Sequence, residues 1–260
     1  MLPSFRHAIA AALSFALLLG GCASTDPRDP FEAYNRAVFA FNEEVDRAIV
    51  KPVAEAYRST VPGPVRRGVS NVFSNLDDVV VVLNDLLQFK LEQAVRDLTR
   101  FLYNSVFGLA GIFDVATHMG LPKHDEDLGQ TLGYWGVGSG PYLVLPFLPP
   151  STVRDTVGFV GDAQVDPVFQ ITDTGARYAA ITLETIDRRA QLLSASRVLD
   201  EAALDRYAFV RDAYLQHRLN LVHDGHPPQS SPPPPPEAGD ADLELELELE
   251  LERELKRPAP

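Results

Sequence analysis

Apolar side chains at spacings of three and four open the patterned part of the chain. Phe31, Tyr34, Val38, Phe41, Val45 and Ile49 fall on one face of an α-helix. Asp29-Pro30 is expected to supply its N-cap and first-turn proline, and Pro52 to stop or bend it. Pro62-Gly63-Pro64 marks a turn, and a long segment runs on to about Gln88. It contains Val79-Val80-Val81-Val82-Leu83, which propensity alone would place in a strand. Asp77-Asp78 and Asn84-Asp85 flank that run without turn residues, so helix is the preferred reading. Residues 91–107 are plainer. Leu91, Val95, Leu98, Leu102 and Val106 line one face, while Glu92, Arg96, Asp97 and Arg100 take another.

Residues 108–150 lose the period. Gly108, Gly111, Gly120, Gly129, Gly133, Gly136, Gly138 and Gly140 crowd this stretch, with Pro122, Pro141, Pro146, Pro149 and Pro150. Irregular backbone is expected, yet it carries Tyr134, Trp135, Tyr142, Leu143, Val144, Leu145 and Phe147. A long apolar Gly/Pro-rich loop is uncommon and usually functional or tightly packed. Ser151-Thr152 caps a short helix through about Val160, and two long helices follow at roughly 175–194 and 200–222. Leu204, Tyr207, Val210, Tyr214 and Leu221 make the apolar face of the last. The pattern predicts an all-α fold, a set of amphipathic helices with one irregular Gly/Pro-rich loop.

The two ends differ from the middle. Arg6 and His7 precede an apolar run, Ala8 to Leu19, broken only by Ser14. Its twelve residues would rise roughly 18 Å as a helix, short of a hydrocarbon core of about 30 Å, as in a secretion signal. Leu19-Gly20-Gly21-Cys22 follows and resembles a lipobox. Small residues let a peptidase reach the backbone, and the Cys22 thiol is the nucleophile that takes a diacylglyceryl group. The expected division is a signal peptide at 1–21, an acylated linker at 22–30, a helical domain at 31–226 and a tail at 227–260. Ala23, rather than Asp, follows the cysteine. By resemblance to bacterial lipoproteins, that points to the outer membrane of a Gram-negative cell. At about 0.8 kcal/mol per buried CH₂, several acyl chains anchor the protein in practice irreversibly. The tail holds five prolines at 232–236 and five Leu-Glu repeats at 243–252. Its composition predicts disorder. No mature segment reaches 18 uninterrupted apolar residues, so no transmembrane span is predicted.

Composition narrows the chemistry. The chain has 260 residues, 45% hydrophobic and 23% charged, with a net charge of −13. Phosphate backbones would be repelled, and no basic stripe offsets this locally, so nucleic acid is not an expected partner. Cys22 is the only cysteine, which excludes an internal disulfide, a CxxC pair and a Cys-rich zinc site. His124-Asp125-Glu126-Asp127 carries metal-ligating types, but four donors in a row rarely face one ion, and a solvated loop is expected there. Ser139, in Gly138-Ser139-Gly140, lacks the GxSxG frame, and Gly136 to Gly140 lacks the GxGxxG spacing. His118 and Asp114 could join a hydrolytic triad, but no feature selects them, and His223 and His226 lie beside the tail. No cofactor and no catalytic residue is assigned.

Several runs resemble the VacJ/MlaA family of outer-membrane lipoproteins. They are Asp29 to Arg36, Arg100 to Ser105, Gly108 to Ala116, Asp127 to Gly138, Gly140 to Pro146 and Pro150 to Asp155. The resemblance covers roughly residues 22–222, and the run Asp127-Leu128-Gly129-Gln130-Thr131-Leu132-Gly133-Tyr134-Trp135-Gly136-Val137-Gly138 is its most specific part. Pro149 departs from it, standing where the family usually has Gly. The resemblance implies a helical disc in the inner leaflet of the outer membrane with an apolar outer rim and an amphipathic channel. Phospholipids would leave the outer leaflet through that channel for a periplasmic lipid-carrier protein, which maintains lipid asymmetry. It also implies association with a trimeric porin. The Gly/Pro loop is then expected at the channel or its gate, with Gly133, Trp135, Gly136, Gly138, Gly140 and Tyr142 as candidate residues. A passive lipoprotein scaffold and a lipid esterase are the alternatives.

Overall fold

The computed structural model describes residues 26–202 and 204–228, without the side chains of 198–203. The signal peptide, Cys22 and the Leu-Glu tail lie outside the described residues. Helix α1 spans Glu32–Val45 and runs through a π-helical turn, Asp46–Val50, into α2, Lys51–Thr60. Pro52 therefore does not stop the helix. It sits in the first turn of α2, and the wider π turn before it, closed by Lys51 N–H donating to Asp46 O, absorbs the crowding a proline brings. Nor does Asp29 cap α1. The N-cap is Phe31, without a side-chain hydrogen bond. Asp29 is fully buried instead and accepts from Asn35 Nδ2 (2.8 Å), Tyr207 OH (2.5 Å) and Arg211 Nη1 (3.3 Å).

Helix α3, Gly63–Leu87, takes in the valine run, and α4 is Leu91–Val106. The region expected to be irregular contains two short helices, α5 at Val115–His118 and α6 at Leu128–Tyr134. Asp114 and Asp127 cap them, accepting from Thr117 N and Gln130 N. Gly129 in this region, and Gly158 after it, serve packing rather than turning. A Cβ on Gly129 would stand 2.6 Å from Asp155 Oδ1, and one on Gly158 would stand 2.3 Å from Gly129 N. Helix α6 thus lies backbone-close on α7, Val153–Asp162, a helix capped as expected by Thr152. Tyr142–Leu143 (β1) pairs antiparallel with Ser151–Thr152 (β2), a sheet too small to alter the helical class. Helices α8, Thr174–Ala202, and α9, Arg206–Val222, complete the fold.

The interior is sorted in an unusual way. Along α3 and α4 the buried side chains are mostly polar: Asn75, Asp78, Asn84, Asp85, Asp97, Arg100 and Asn104, beside the apolar Val80, Val81 and Ala94. The apolar stripe of α4 points outward. Val95 is 64% and Val106 65% exposed, against 1% for Asp97 and 3% for Arg100. Phe89, Phe107, Leu109, Phe113, Phe147, Val157 and Val160 are exposed as well. A monomer in water rarely shows so much contiguous apolar surface, and such patches mark membrane or partner contact. No described helix is long and apolar enough to cross a membrane.

Candidate functional site

The buried polar side chains are joined in clusters, one around Arg100 and one around Gln88 and Glu126. Arg100 donates to Thr117 Oγ1 (2.8 Å), Leu121 O (2.9 Å) and Asp114 Oδ2 (3.0 Å), and its Nε lies 3.5 Å from Asp78 Oδ2. Burial works against the charge on Asp114, but Thr117 and Arg100 outweigh it and hold the carboxyl near 2. Asp78 goes the other way. Desolvation raises it despite Lys123 at 2.5 Å and Arg100. Further along, Asn84 and Gln88 donate to Asp162 and Glu126, and both bond Thr131 on α6. Asp85 is buried against Asp97, within reach of its carboxyl. Desolvation and that neighbour push it to about 7, so the pair retains a proton near neutrality.

The His124-Asp125-Glu126-Asp127 run does not behave as a solvated loop. His124 Nδ1 contacts Asp97 at 2.9 Å, Glu126 accepts from Lys90 (2.8 Å) and Gln88 (2.8 Å), and Asp127 pairs with Arg218. Burial opposes ionisation of Asp127, but the hydrogen bonds and charge of Arg218 hold it below the usual carboxylate range. Only Asp125 is exposed. Among the described residues, no group of three or more His, Cys, Asp or Glu converges to hold a metal ion. His118 bonds the backbone oxygen of Asp114, and His223 that of Leu219, so neither faces a nucleophile through these contacts.

Two hollows adjoin these clusters. One is a polar cavity of about 570 Å³, with α3 residues Ser70, Asn71, Ser74 and Asp77 on one side. Lys123, Asp125, Glu126, Asp127 and Gln130 close another side, and Glu184, Asp187, Arg188 and Gln191 of α8 with His217 and Leu221 of α9 complete the wall. The second is a groove of about 490 Å³ lined by Pro64, Val65, Gly68, Val69, Val72, Ile112, Phe113 and Leu183, with almost no polar surface. Phe73 of α3 belongs to both. Helical spacing explains this. Val65, Val69 and Val72 continue one face, Ser70, Ser74 and Asp77 the next, and Phe73 stands on the seam. Gly68 keeps the groove open at its centre, since a Cβ there would press Ile112 Cγ2 at 3.3 Å. A polar chamber joined to an apolar trough suits a molecule with one charged end and one hydrocarbon end.

The six loop candidates are not gathered at either hollow; the lining takes Lys123, Asp125, Glu126, Asp127 and Gln130 of the same stretch instead. Gly133 packs in α6, where a Cβ would meet Arg154 Nη1 and Val222 Cγ1 at 2.8 Å. Trp135 ends α6 half exposed, its indole donating to Leu87 O at 3.2 Å. Gly136 and Gly140 have φ of +89° and +66°, conformations that glycine favours. Gly138 has open space around it and no such φ. Tyr142 is fully buried with Val144 and Tyr207. The cavity residues Asp187, Glu184 and Gln191 escaped sequence reading because they belong to a helix with no distinctive motif. Their i, i+3, i+7 spacing was the available signal.

The family model described as MlaA lipoprotein matches residues 27–221. The chain belongs to this family. The intermembrane phospholipid transport system lipoprotein of Shigella flexneri is 41% identical over 234 residues, covering 86% of this chain and 92% of that protein. Its namesake in Escherichia coli (strain K12) is 40% identical over the same shares, and that of Haemophilus influenzae 33% over 84% and 91%. A solved structure reported under "Structural basis for maintenance of bacterial outer membrane lipid asymmetry" matches with a TM-score of 0.67 at 35% identity. It spans 75% of this chain and 98% of the other. The family match covers the polar clusters, both hollows and the loop.

Proposed function

We propose that this family member is an outer-membrane lipoprotein of the intermembrane phospholipid transport system that removes phospholipid from the outer leaflet and so maintains lipid asymmetry. The observation that carries this reading is Phe73, which lines both the polar cavity and the apolar groove beside it. A phospholipid crossing there keeps its head among hydrogen-bonding groups and its tails against Val65, Val69, Val72 and Leu183. Neither end then meets the wrong medium, and the barrier to leaving the leaflet falls. The exposed apolar faces of α4 and α7 supply the rim that holds the domain in hydrocarbon, and acyl chains on Cys22 tether it. The lipid passes to a soluble periplasmic carrier, and a trimeric porin holds the rim.

The test is complementation of a cell lacking its own member of the family, with outer-leaflet phospholipid as the readout. The parental chain is expected to lower that phospholipid. Val72→Trp, which fills the groove, is expected to leave the protein folded and anchored while phospholipid accumulates. Full clearance by Val72→Trp would contradict the path. Cys22→Ser is expected to lose labelled palmitate and to fail in complementation; palmitate still entering that variant would refute the lipidation site.

A further inference from the structure

The cavity wall is electrically lopsided. Asp77, Asp125, Glu126, Asp127, Glu184 and Asp187 face it, against Lys123, Arg188 and the imidazole of His217. The cations are already engaged: Lys123 pairs with Asp77 (2.9 Å) and Asp78 (2.5 Å), and Arg188 with Glu184 (2.8 Å). Glu126 and Asp127 are matched by Lys90 and Arg218 from outside the wall. Two carboxylates are left over. Asp187 is 3% exposed and accepts from three neutral donors, Tyr57 OH (3.0 Å), Ser70 Oγ (2.7 Å) and Gln191 Nε2 (2.8 Å). Asp125 stands exposed at the mouth. Among the described residues, no ion pair reaches either one. Burial raises Glu184, and the charges of Asp166 and Asp77 add to that against the pull of Arg188.

We propose that this cavity selects phospholipids by headgroup charge, favouring a head with a free ammonium over a net-anionic head, with Asp187 and Asp125 as the selecting residues. This rests on the lipid path described above. A carboxylate satisfied only by neutral donors still carries its full charge, and in a poorly solvated pocket an ammonium gains more from it than it would in water. A head bearing only phosphate and hydroxyl groups meets the same field with the opposite sign. The apolar groove supplies affinity for both lipids alike, so discrimination falls to the wall around Asp187.

The experiment incubates the full-length acylated protein with vesicles of equal parts phosphatidylethanolamine and phosphatidylglycerol. Lipid retained by the repurified protein is then quantified by mass spectrometry. The parental protein is expected to retain the ethanolamine lipid over the glycerol lipid by about tenfold, one charge-assisted contact. Asp125→Asn combined with Asp187→Asn is expected to bring the two within about twofold at unchanged total lipid. A second arm leaves the protein untouched: N-acetylated phosphatidylethanolamine, which lacks the ammonium, is expected to fall to the level of phosphatidylglycerol. This arm decides the matter if the double variant does not fold. Soluble glycerophosphoethanolamine is expected to displace little lipid; full displacement would make the ligand a free amine and overturn the proposal. Equal retention of both lipids by the parental protein, or an undiminished preference for the N-acetylated lipid, would also overturn it. Retention of neither lipid would defeat the lipid path itself, a distinct failure.

Discussion

Two parts of the domain solve the burial problem in opposite ways. Around β1 the core is of the kind water-soluble proteins build. Tyr142, Val144 and Tyr207 are buried, Val38, Phe39, Tyr214 and Leu215 pack on them, and the rings of Phe39 and Tyr207 meet edge-on at 5.5 Å. Helix α1 fastens that core with two asparagines seven residues apart. Asn35 bonds Tyr142 O and Val144 N, and Asn42 bonds Leu145 O and Phe147 N. Between α3 and α4 the arrangement is largely inverted: carboxylates, amides and Arg100 are inside beside Val80, Val81 and Ala94, and the leucine and valine stripe of α4 is outside. The same hydrophobic effect produces both if the two surfaces face different media. Against hydrocarbon an outward leucine loses nothing, and the polar groups gather where they can satisfy one another. What remains hollow between them is then polar on one side and apolar on the other, as at Phe73.

The largest effect should come from breaking the inverted core. Arg100→Met removes the buried guanidinium that serves Asp114, Thr117 and Leu121 O and leaves buried Asp78 with Lys123 as its cation, and it is expected to destabilise by about 3 kcal/mol, seen as a lowered melting temperature in detergent. Little change would mean that the polar interior is not closed. Next is pH. Asp85 has an ordinary value of 3.8 and stands near 7 in the fold, so the native state holds a proton that the unfolded chain releases. Stability from this group is complete below about pH 4 and is lost as pH rises towards 7. Denaturant melts between pH 4 and 8 are expected to show that decline, and Asp85→Asn to flatten it.

The conventional core answers a smaller question. The Tyr142 hydroxyl is buried without a hydrogen-bond partner. Tyr142→Phe removes that unmet group and is expected to stabilise by about 1 kcal/mol. A loss of stability would show that the hydroxyl has a role the packing does not reveal. Smallest of all is Gly138→Val, expected within about 0.5 kcal/mol because a Cβ there meets open space at an ordinary φ. With folding preserved, its outer-leaflet phospholipid level reads directly on the loop. Accumulation would place the loop in the path, and parental clearance would leave it as the frame.

The helices were legible because period alone reveals a face. Leu91, Val95, Leu98, Leu102 and Val106 are a helix stripe whichever medium they meet, and for that reason the spacing could not say that they point outward. A second stripe carried that information. Asn75, Asp78 and Asp85 on α3 and Asp97, Arg100 and Asn104 on α4 also recur at helical spacing, and two polar stripes on adjacent helices imply a polar interface. The short helix α6 was hidden by Gly129 and Gly133, which favour turns locally but here permit close packing, Gly129 against Gly158 of α7. The cavity was legible only in part. Residues 124–127 stood out as a charged run, and three of them line the cavity, but Asp187 and Glu184 reach it from α8 through tertiary packing alone.

The central claim is that the apolar face of α4 lies in lipid while the cavity stays wet. Spin labels on single introduced cysteines at Val95, Leu98, Leu102 and Asn71 test it most directly, in the acylated protein bound to vesicles. Cys22, the only native cysteine, is then already occupied by its lipid. The account predicts that the three α4 labels relax with oxygen and are shielded from a polar nickel chelate, while the Asn71 label shows the reverse. Nickel access at Val95, Leu98 and Leu102 equal to that at Asn71 would contradict it.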